Sequence, residues 1–435
     1  MTKKIALMRQ GICALLLCGL WWSIRTWAVE PPGASMDITD LQMFVRVMDE
    51  IRNSYVDPVS DHELWVHAVQ GMLESLDPHS QYLNSEDYQS LKEDTSGSFD
   101  GVGLELNRDD KGLVVVSPLD GSPAAKAGIQ AGDRVIRLEG RQVTQQNLQE
   151  ILQQMRGHSG SHLHLTLERL ATQKNAPAVV HDYDLVRQSI ELNTVKEQWL
   201  EPGIACLRIT MFSELTGQEM QQAVERLQKK AAVQAVVLDL RNNPGGVFHS
   251  AVDVADDFLD QGVIVSTRGR LASANQQFMA TPGQLLPGVP MLVLINAGTA
   301  SAAEILAGAL QDQHRALLLG TRSFGKGSVQ SVLSLNEHQG IKLTTARYFT
   351  PSGRSIQAHG IVPDVQVQQA EVTPRVKKEI YREADLAGHL DNPQAAHSDT
   401  KETANNATTR LLETDFQMYQ ALLLLKAEKY LVKTH

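Results

Sequence analysis

The chain has 435 residues, 42% of them hydrophobic and 21% charged, with a formal net charge of −10. This length calls for more than one domain, and the apolar content is that of a globular protein able to bury a sizeable core. The acidic balance, with no basic cluster against it, argues against nucleic acid as a partner.

The N-terminus reads as an export signal. Lys3, Lys4 and Arg9 precede an apolar run from Gly11 to Trp22, too short for a comfortable membrane span, and Thr26-Trp-Ala28 offers a small-x-small cleavage site. Residues 1–28 are therefore predicted to be a signal peptide, with a periplasmic product that stays at the inner membrane if the signal is not removed. Cys13 and Cys18 fall in this segment, so Cys206 is the one cysteine beyond it. It sits in a strand-like run, Gly203 to Ile209, and reads as a buried small hydrophobe rather than a catalytic thiol.

Residues 37–95 are predicted to be helical. Leu41, Phe44, Val45 and Met48 recur at helical spacing, and so do Trp65, Val66, Val69, Met72 and Leu73. Ser75-Leu-Asp-Pro-His-Ser80 breaks the pattern, and Ser85-Glu-Asp-Tyr opens another short helix. In residues 96–170, Gly101-Val-Gly-Leu104 precedes Val114-Val-Val-Ser-Pro, a short helix opened by Ser122-Pro-Ala-Ala-Lys-Ala-Gly128, a strand within Gly132 to Gly140, and a helix from Asn147 to Met155. This succession resembles a PDZ domain. Gly101, Val102, Gly103 and Leu104 then correspond to its carboxylate-binding loop. A glycine-flanked turn exposes backbone N–H groups to a terminal carboxylate, and the peptide adds as a strand to the sheet edge. His158, His162 and His164 lie close together, but no carboxylate or cysteine nearby in sequence completes a metal set, so no metal is expected.

Residues 177–370 alternate strands and helices. Val233 to Leu240, Val289 to Ile295 and Ala316 to Leu319 are apolar strand-like runs, and Ser250 to Leu259 and Ser301 to Asp312 are helix-like. The alternation predicts a mixed, partly parallel sheet. Residues 371–435 begin polar. His397 to Thr409 reads as linker, and Phe416, Tyr419, Leu422, Leu423 and Lys426 suggest an amphipathic helix to about Val432 that covers a partner subunit or the chain's own core.

Two loops carry chemistry. Ser301 follows the run ending at Ile295 and precedes a helix, so its oxygen lies near a helix N-terminus. Lys326 lies between glycines, 25 residues later, after the run ending at Leu319. Two strand ends can bring them together, and a lysine whose pKa is lowered by burial can take a serine's proton. Other chemistries stay open on the residues alone. Gly320-Thr-Arg-Ser-Phe-Gly-Lys326 nearly matches a phosphate-binding P-loop, but residue 327 is glycine where Ser or Thr must hold magnesium, and Val329 to Leu335 reads as strand, not helix. His249 with Asp253 could form a Ser-His-Asp set, although they share one helix face.

Ala300-Ser-Ala-Ala-Glu-Ile and Phe324-Gly-Lys-Gly-Ser-Val-Gln330 resemble the two signature blocks of the carboxy-terminal processing (tail-specific) serine proteases. Asp239-Leu-Arg-Asn-Asn-Pro-Gly-Gly246, Tyr348-Phe-Thr-Pro-Ser-Gly-Arg-Ser-Ile-Gln357 and Gly360-Ile-Val-Pro-Asp364 match further blocks in order, over roughly Asp37 to Gln369. Thr299 and Ala303 depart from the serines many members carry. The resemblance implies an α/β multidomain chain with an N-terminal helical region, a PDZ domain, a crotonase-like protease core and a C-terminal helix. It implies Ser301 as nucleophile, Lys326 as base and Gln330 to orient it. The N–H groups of Gly246 and Ala302 are the candidate oxyanion hole, and no cofactor is needed. The expected partners are proteins with exposed C-termini and further copies of the chain through its N- and C-terminal helices, with an adaptor protein left open. A non-catalytic PDZ adaptor on a protease scaffold is the alternative.

Overall fold

The computed structural model describes residues 37–110, 112–119, 121–145, 147–169, 178–372, 389–390 and 406–432. The proposed signal peptide, residues 1–28, and most of the polar stretch after residue 372 lie outside these residues. The chain divides into two compact units, up to Met72 and from Leu73 on.

The first unit is helical. Helix α1 (Ile38–Ser54) is capped by Asp37, whose carboxylate accepts from Thr39 N at 2.9 Å. Helix α2 (Asp61–Glu74) begins in this unit and ends two residues past the boundary. Phe44 and Trp65 meet with ring centroids 5.4 Å apart, yet no residue of α1 is buried.

The second unit opens with β1 (Gln81–Leu83), a strand the sequence did not suggest, and α3 (Ser85–Ser96). Asn84 caps α3 by accepting from Glu86 N and Asp87 N, and Gly97 ends it in the left-handed region. Strand β2 (Ser98–Gly101) leads into β3 (Leu104–Asp109), β4 (Gly112–Pro118), helix α4 (Pro123–Lys126), β5 (Arg134–Leu138), β6 (Arg141–Gln142), helix α5 (Leu148–Met155), β7 (His162–Arg169) and β8 (Val179–Val186). Five of these form a sheet in the order β3-β4-β5-β7-β8, with β6 paired to β5 and β3 at an edge. Its core holds Leu113, Val135, Leu138, Ile151, Leu163, Leu165 and Leu167. Alternate residues of β7 are buried, the period-2 pattern of a half-buried strand. Strand β9 (Gln188–Glu191) pairs β2.

The remainder is α/β. Strands β10 (Val195–Glu201) and β11 (Ile204–Ile209) precede α6 (Thr216–Lys230), β12 (Ala235–Asp239), α7 (Phe248–Asp256), β13 (Val263–Gly269), β14 (Gln276–Met279), β15 (Met291–Ile295), α8 (Ala302–Asp312), β16 (Leu317–Gly320), β17 (Ser328–Ser334), β18 (Gly340–Phe349) and β19 (Val365–Gln366). The central sheet has the order β10-β11-β12-β15-β16-β19. Its β10–β11 pair is antiparallel and every other pair parallel, so the expected mixed, partly parallel sheet is present. Strands β12 and β15 are buried on both faces, which is why they read as continuous apolar runs. One face, with Leu207, Val236, Leu238 and Val293, packs against α6, α7 and α8. A second sheet pairs β18 with β1, β13 and β17.

The other face of the central sheet meets the C-terminus. Helices α9 (Asn406–Thr414) and α10 (Phe416–Val432) lie there. Met418, Ala421, Leu422 and Leu425 of α10 pack against Cys206, Val237, Leu292, Leu294 and Leu319, so the helix covers the chain's own core. The linker reading is corrected at its end: residues 406–409 belong to α9, because Leu411 packs against this face and overrides the polar composition before it. Cys206 is buried in β11, and burial pushes its thiol pKa up to about 12, as fits an inert core residue.

Candidate active site

Strands β15 and β16 are parallel neighbours, and the loops leaving their C-terminal ends carry Ser301 and Lys326. Ser301, Lys326 and Gln330 line one cleft of about 440 Å³, together with Gly245, Gly246, Ala302 and Tyr348. Phe212, Val247, Phe248, Ile305 and Val329 give it an apolar wall. Among the described residues no hydrogen bond joins Lys326 Nζ to Ser301 or Gln330. Burial lowers the Lys326 pKa, nearby Lys342 adds to this, and Asp77 and Glu304 pull the other way.

Ser301 stands at the N-terminus of α8 with φ 54° and ψ −117°, a conformation a non-glycine residue adopts at a cost of about 1–3 kcal/mol. Two buried side chains hold it. Glu304, one turn into α8, accepts from Ser301 N at 2.8 Å and from Lys326 N at 2.9 Å through the same oxygen. Its other oxygen accepts from Gly325 N at 2.7 Å and Ser323 Oγ at 2.5 Å. Burial pushes the Glu304 pKa up against these four donors. Three of the donors are amide N–H groups, so the carboxyl serves as an acceptor. Tyr348 supplies the complementary clamp: its hydroxyl lies between the carbonyl oxygens of Ser301, at 3.0 Å, and Lys326. The sequence blocks contained Glu304 and Tyr348 without revealing these roles, since only the folded loops bring four donors onto one carboxylate.

The loop after β12 closes the cleft. Thr299 Oγ1 donates to Leu240 O, and Asn243 O accepts from Ala300 N. Gly245 and Gly246 adopt φ of 99° and 134°; a Cβ on Gly245 would stand 2.8 Å from Ser301 Cβ, and one on Gly246 2.0 Å from Phe212 O. Among the described residues neither Gly246 N nor Ala302 N has a hydrogen-bond acceptor in the protein, so both N–H groups remain available to an incoming oxygen. Thr299 is buried and used structurally.

The other candidates fall elsewhere. His249 is exposed on α7, edge-on to Phe248 and Phe278, and neither it nor Asp253 lines the cleft. The P-loop reading is overturned by β17, the strand that follows Lys326 where a phosphate-binding loop needs a helix. His162 Nδ1 lies 2.9 Å from Asp184, a surface pair, and among the described residues no group of three or more His, Cys, Asp or Glu could hold a metal ion.

The segment 101–104 lies away from the cleft, between β2 and the edge strand β3. Val102 is buried, and its carbonyl accepts from Ala124 N while that of Gly103 accepts from Leu119 N. Gly103 has φ 74°, and a Cβ there would stand 2.3 Å from Ser122 Cβ, so only glycine fits. Among the described residues the N–H groups of Val102 and Gly103 donate to no protein acceptor.

A serine peptidase core carrying a PDZ domain is the class this fold and cleft define. A family model described as Peptidase family S41 matches residues 203–367. A PDZ domain model matches residues 114–169, and a model of the N-terminal domain of the activating protease CtpB matches residues 28–87. The carboxy-terminal-processing protease of Bartonella bacilliformis is 41% identical over 392 residues, 89% of this chain and 88% of that one. The carboxy-terminal processing protease CtpA of Bacillus subtilis is 34% identical over 74% of this chain and 68% of its own. A solved photosystem II D1 C-terminal processing protease is 32% identical, covering 76% of this chain and 93% of that one, with a TM-score of 0.44. The chain belongs to the carboxy-terminal processing proteases and is a serine protease. Among the described residues no helix is long and apolar enough to cross a membrane.

Proposed function

We propose that this serine protease cuts proteins with a Ser301–Lys326 dyad and reads their free C-terminal tails through its PDZ domain. The observation that carries the reading is the convergence of Ser301, Lys326, Gln330, Gly246 and Ala302 on one cleft. Ser301 Oγ attacks the scissile carbonyl while its proton passes to neutral Lys326. The N–H groups of Gly246 and Ala302 receive the oxyanion. Lys326 then protonates the leaving amine, and water releases the acyl chain by the reverse proton path. Gln330 orients the lysine. Ser301→Ala and Lys326→Ala should each lower cleavage of an unfolded test protein at least about a thousandfold with the fold retained; a Lys326→Ala enzyme of near-normal rate defeats the dyad. Because burial lowers the Lys326 pKa, activity should rise with pH through that depressed value, and a flat profile over a pH range where the fold survives counts against a titrating lysine.

Tail reading is supported by the free N–H groups at Val102 and Gly103 and by the open edge of β3. A substrate ending in a free apolar residue should be cut faster than the same chain amidated, and equal rates would remove this role. The reading includes export through residues 1–28, and self-association in which the exposed Leu41 and Val45 of α1 take part. An adaptor protein is compatible with it; size measurement with and without residues 29–54 tests the self-association.

A further inference from the structure

Gln330 must present the oxygen of its amide, not the nitrogen, if it is to accept from Lys326, and a side-chain amide has no preference of its own between the two. The choice is made by its neighbours. Gln330 Nε2 donates to Ser328 Oγ at 2.9 Å and to Thr344 Oγ1 at 3.3 Å. Thr344 Oγ1 in turn lies 3.1 Å from Asp77 Oδ1. An ionised carboxylate only accepts, so the Thr344 proton must point at Asp77. The Thr344 oxygen then has lone pairs alone for Gln330, which must answer with its NH2 group.

Asp77 is itself fixed. Its carboxylate also accepts from His79 N at 2.8 Å, Ser80 N at 3.1 Å and Ser80 Oγ at 2.8 Å. Ser80 Oγ accepts from Thr344 N at 3.1 Å, a second link between the two segments. Burial opposes ionisation of Asp77, but the Ser80, His79 and Thr344 donors outweigh it and hold the carboxyl below its usual range. The relay thus begins at a group that stays charged at working pH.

We propose that Asp77 is a positioning residue of the catalytic dyad: through Thr344 it sets the orientation of the Gln330 amide, so that the amide oxygen faces the cleft and receives Lys326 when the lysine swings toward Ser301. This rests on the Ser301–Lys326 reading. It gives the Asp77-Pro-His-Ser80 segment, a break between helices in sequence, a place beside the chemistry.

The inference is tested by kcat and KM against pH for the full chain and four variants, with thermal unfolding of each. Besides Asp77, the charged groups around Lys326 are Lys342 from β18, Glu304 from α8, His79 from the segment before β1 and Asp94, which lines the cleft from α3. The variants leave all of these in place. Thr344→Val removes both hydroxyl bonds and should lower kcat at the alkaline plateau about tenfold or more with KM within about twofold. Thr344→Ser should restore kcat to within about twofold of wild type. Asp77→Asn keeps one acceptor oxygen, for His79 N, Ser80 N and Thr344 Oγ1, and turns its amide nitrogen toward Ser80 Oγ. It removes the charge that favours the lysine ammonium, so the acid limb of activity should move to lower pH. An unmoved limb overturns the proposal, and so does a Thr344→Val enzyme with wild-type kcat. Thr344→Ala, read in the same way, carries the relay test if Thr344→Val does not fold. A variant whose role is merely structural would lose rate at every pH in proportion to its unfolded fraction, with the limb unmoved. Lys326→Ala separates the two levels: if it stays active, or if wild type shows no acid limb, the dyad reading fails and takes this one with it.

Discussion

In the protease core the polar groups beside the cleft are buried and bonded to one another. Glu304, Asn243 and Thr299 are fully buried, and each ties one site loop to another. In the PDZ domain the pairs Arg141–Glu150 and His162–Asp184 lie on the surface. Its candidate binding site is made of backbone, the edge of β3 and the turn at 101–104. The difference matches the tasks proposed for the two regions. A dyad fails if its two side chains drift by about an ångström, so low-dielectric, fully satisfied hydrogen bonds hold the loops. A peptide that adds as a strand needs a row of unpaired main-chain groups, and rigid side-chain networks would only fill it.

This contrast can be broken at several points. The largest effect is expected at Glu304. Replacing it by alanine strands three amide N–H groups and the Ser323 hydroxyl, at a cost of about 3–5 kcal/mol, and activity should fall beyond the loss of folded protein. Glu304→Gln should lie between. Denaturant unfolding paired with activity measures both, and an active, stable Glu304→Ala protein would show that the clamp is dispensable.

Next comes the junction with the C-terminal helices. Arg241 is buried and donates to both Asp239 and Asp415. Arg241→Met leaves Asp239 with Arg208 as its cation and should cost about 3–5 kcal/mol. Asp415→Asn should cost less, about 1–3 kcal/mol, and speed amide exchange in residues 416–432 relative to the rest of the core. Burial raises the Asp415 pKa, but the Arg241 bond outweighs it and the net direction is down. Its stabilisation is therefore present above the ordinary aspartate pKa and lost as pH falls through the depressed one. Asp415→Asn should flatten the acid limb of the stability curve, and an unchanged limb would place the acid sensitivity elsewhere.

A smaller effect is expected on the PDZ side. Gly103→Ala forces a Cβ against Ser122 in the left-handed region and should cost about 1–3 kcal/mol. It should reduce discrimination between free and amidated tails while cleavage of a tail-independent unfolded substrate persists. Loss of both would mean that the turn also supports the core. The smallest effect is at Arg141, whose pair with Glu150 is fully exposed; Arg141→Ala should leave the unfolding midpoint unchanged within error.

Much of the frame is legible along the chain. Strands buried on both faces must be apolar throughout, so β12 and β15 stand out as runs, and Ser301 and Lys326 stand out as residues just beyond strand ends. The helix after Ser301 and the strand after Lys326 follow from periodicity, which also separated the lysine loop from a phosphate loop. What surrounds these residues was settled in three dimensions. The bond from Thr344 to Asp77 spans 267 residues, and nothing in the local pattern at either end announces it. Glu304 looks like an ordinary first-turn acid until Lys326 and Gly325 arrive above it. The face α10 buries, Met418, Ala421, Leu422 and Leu425, was chosen by the sheet it covers, while Leu423 remains exposed. Local sequence sets which residues can be strand, helix or turn because that depends on neighbours along the chain. Which acceptor meets which donor depends on neighbours in space.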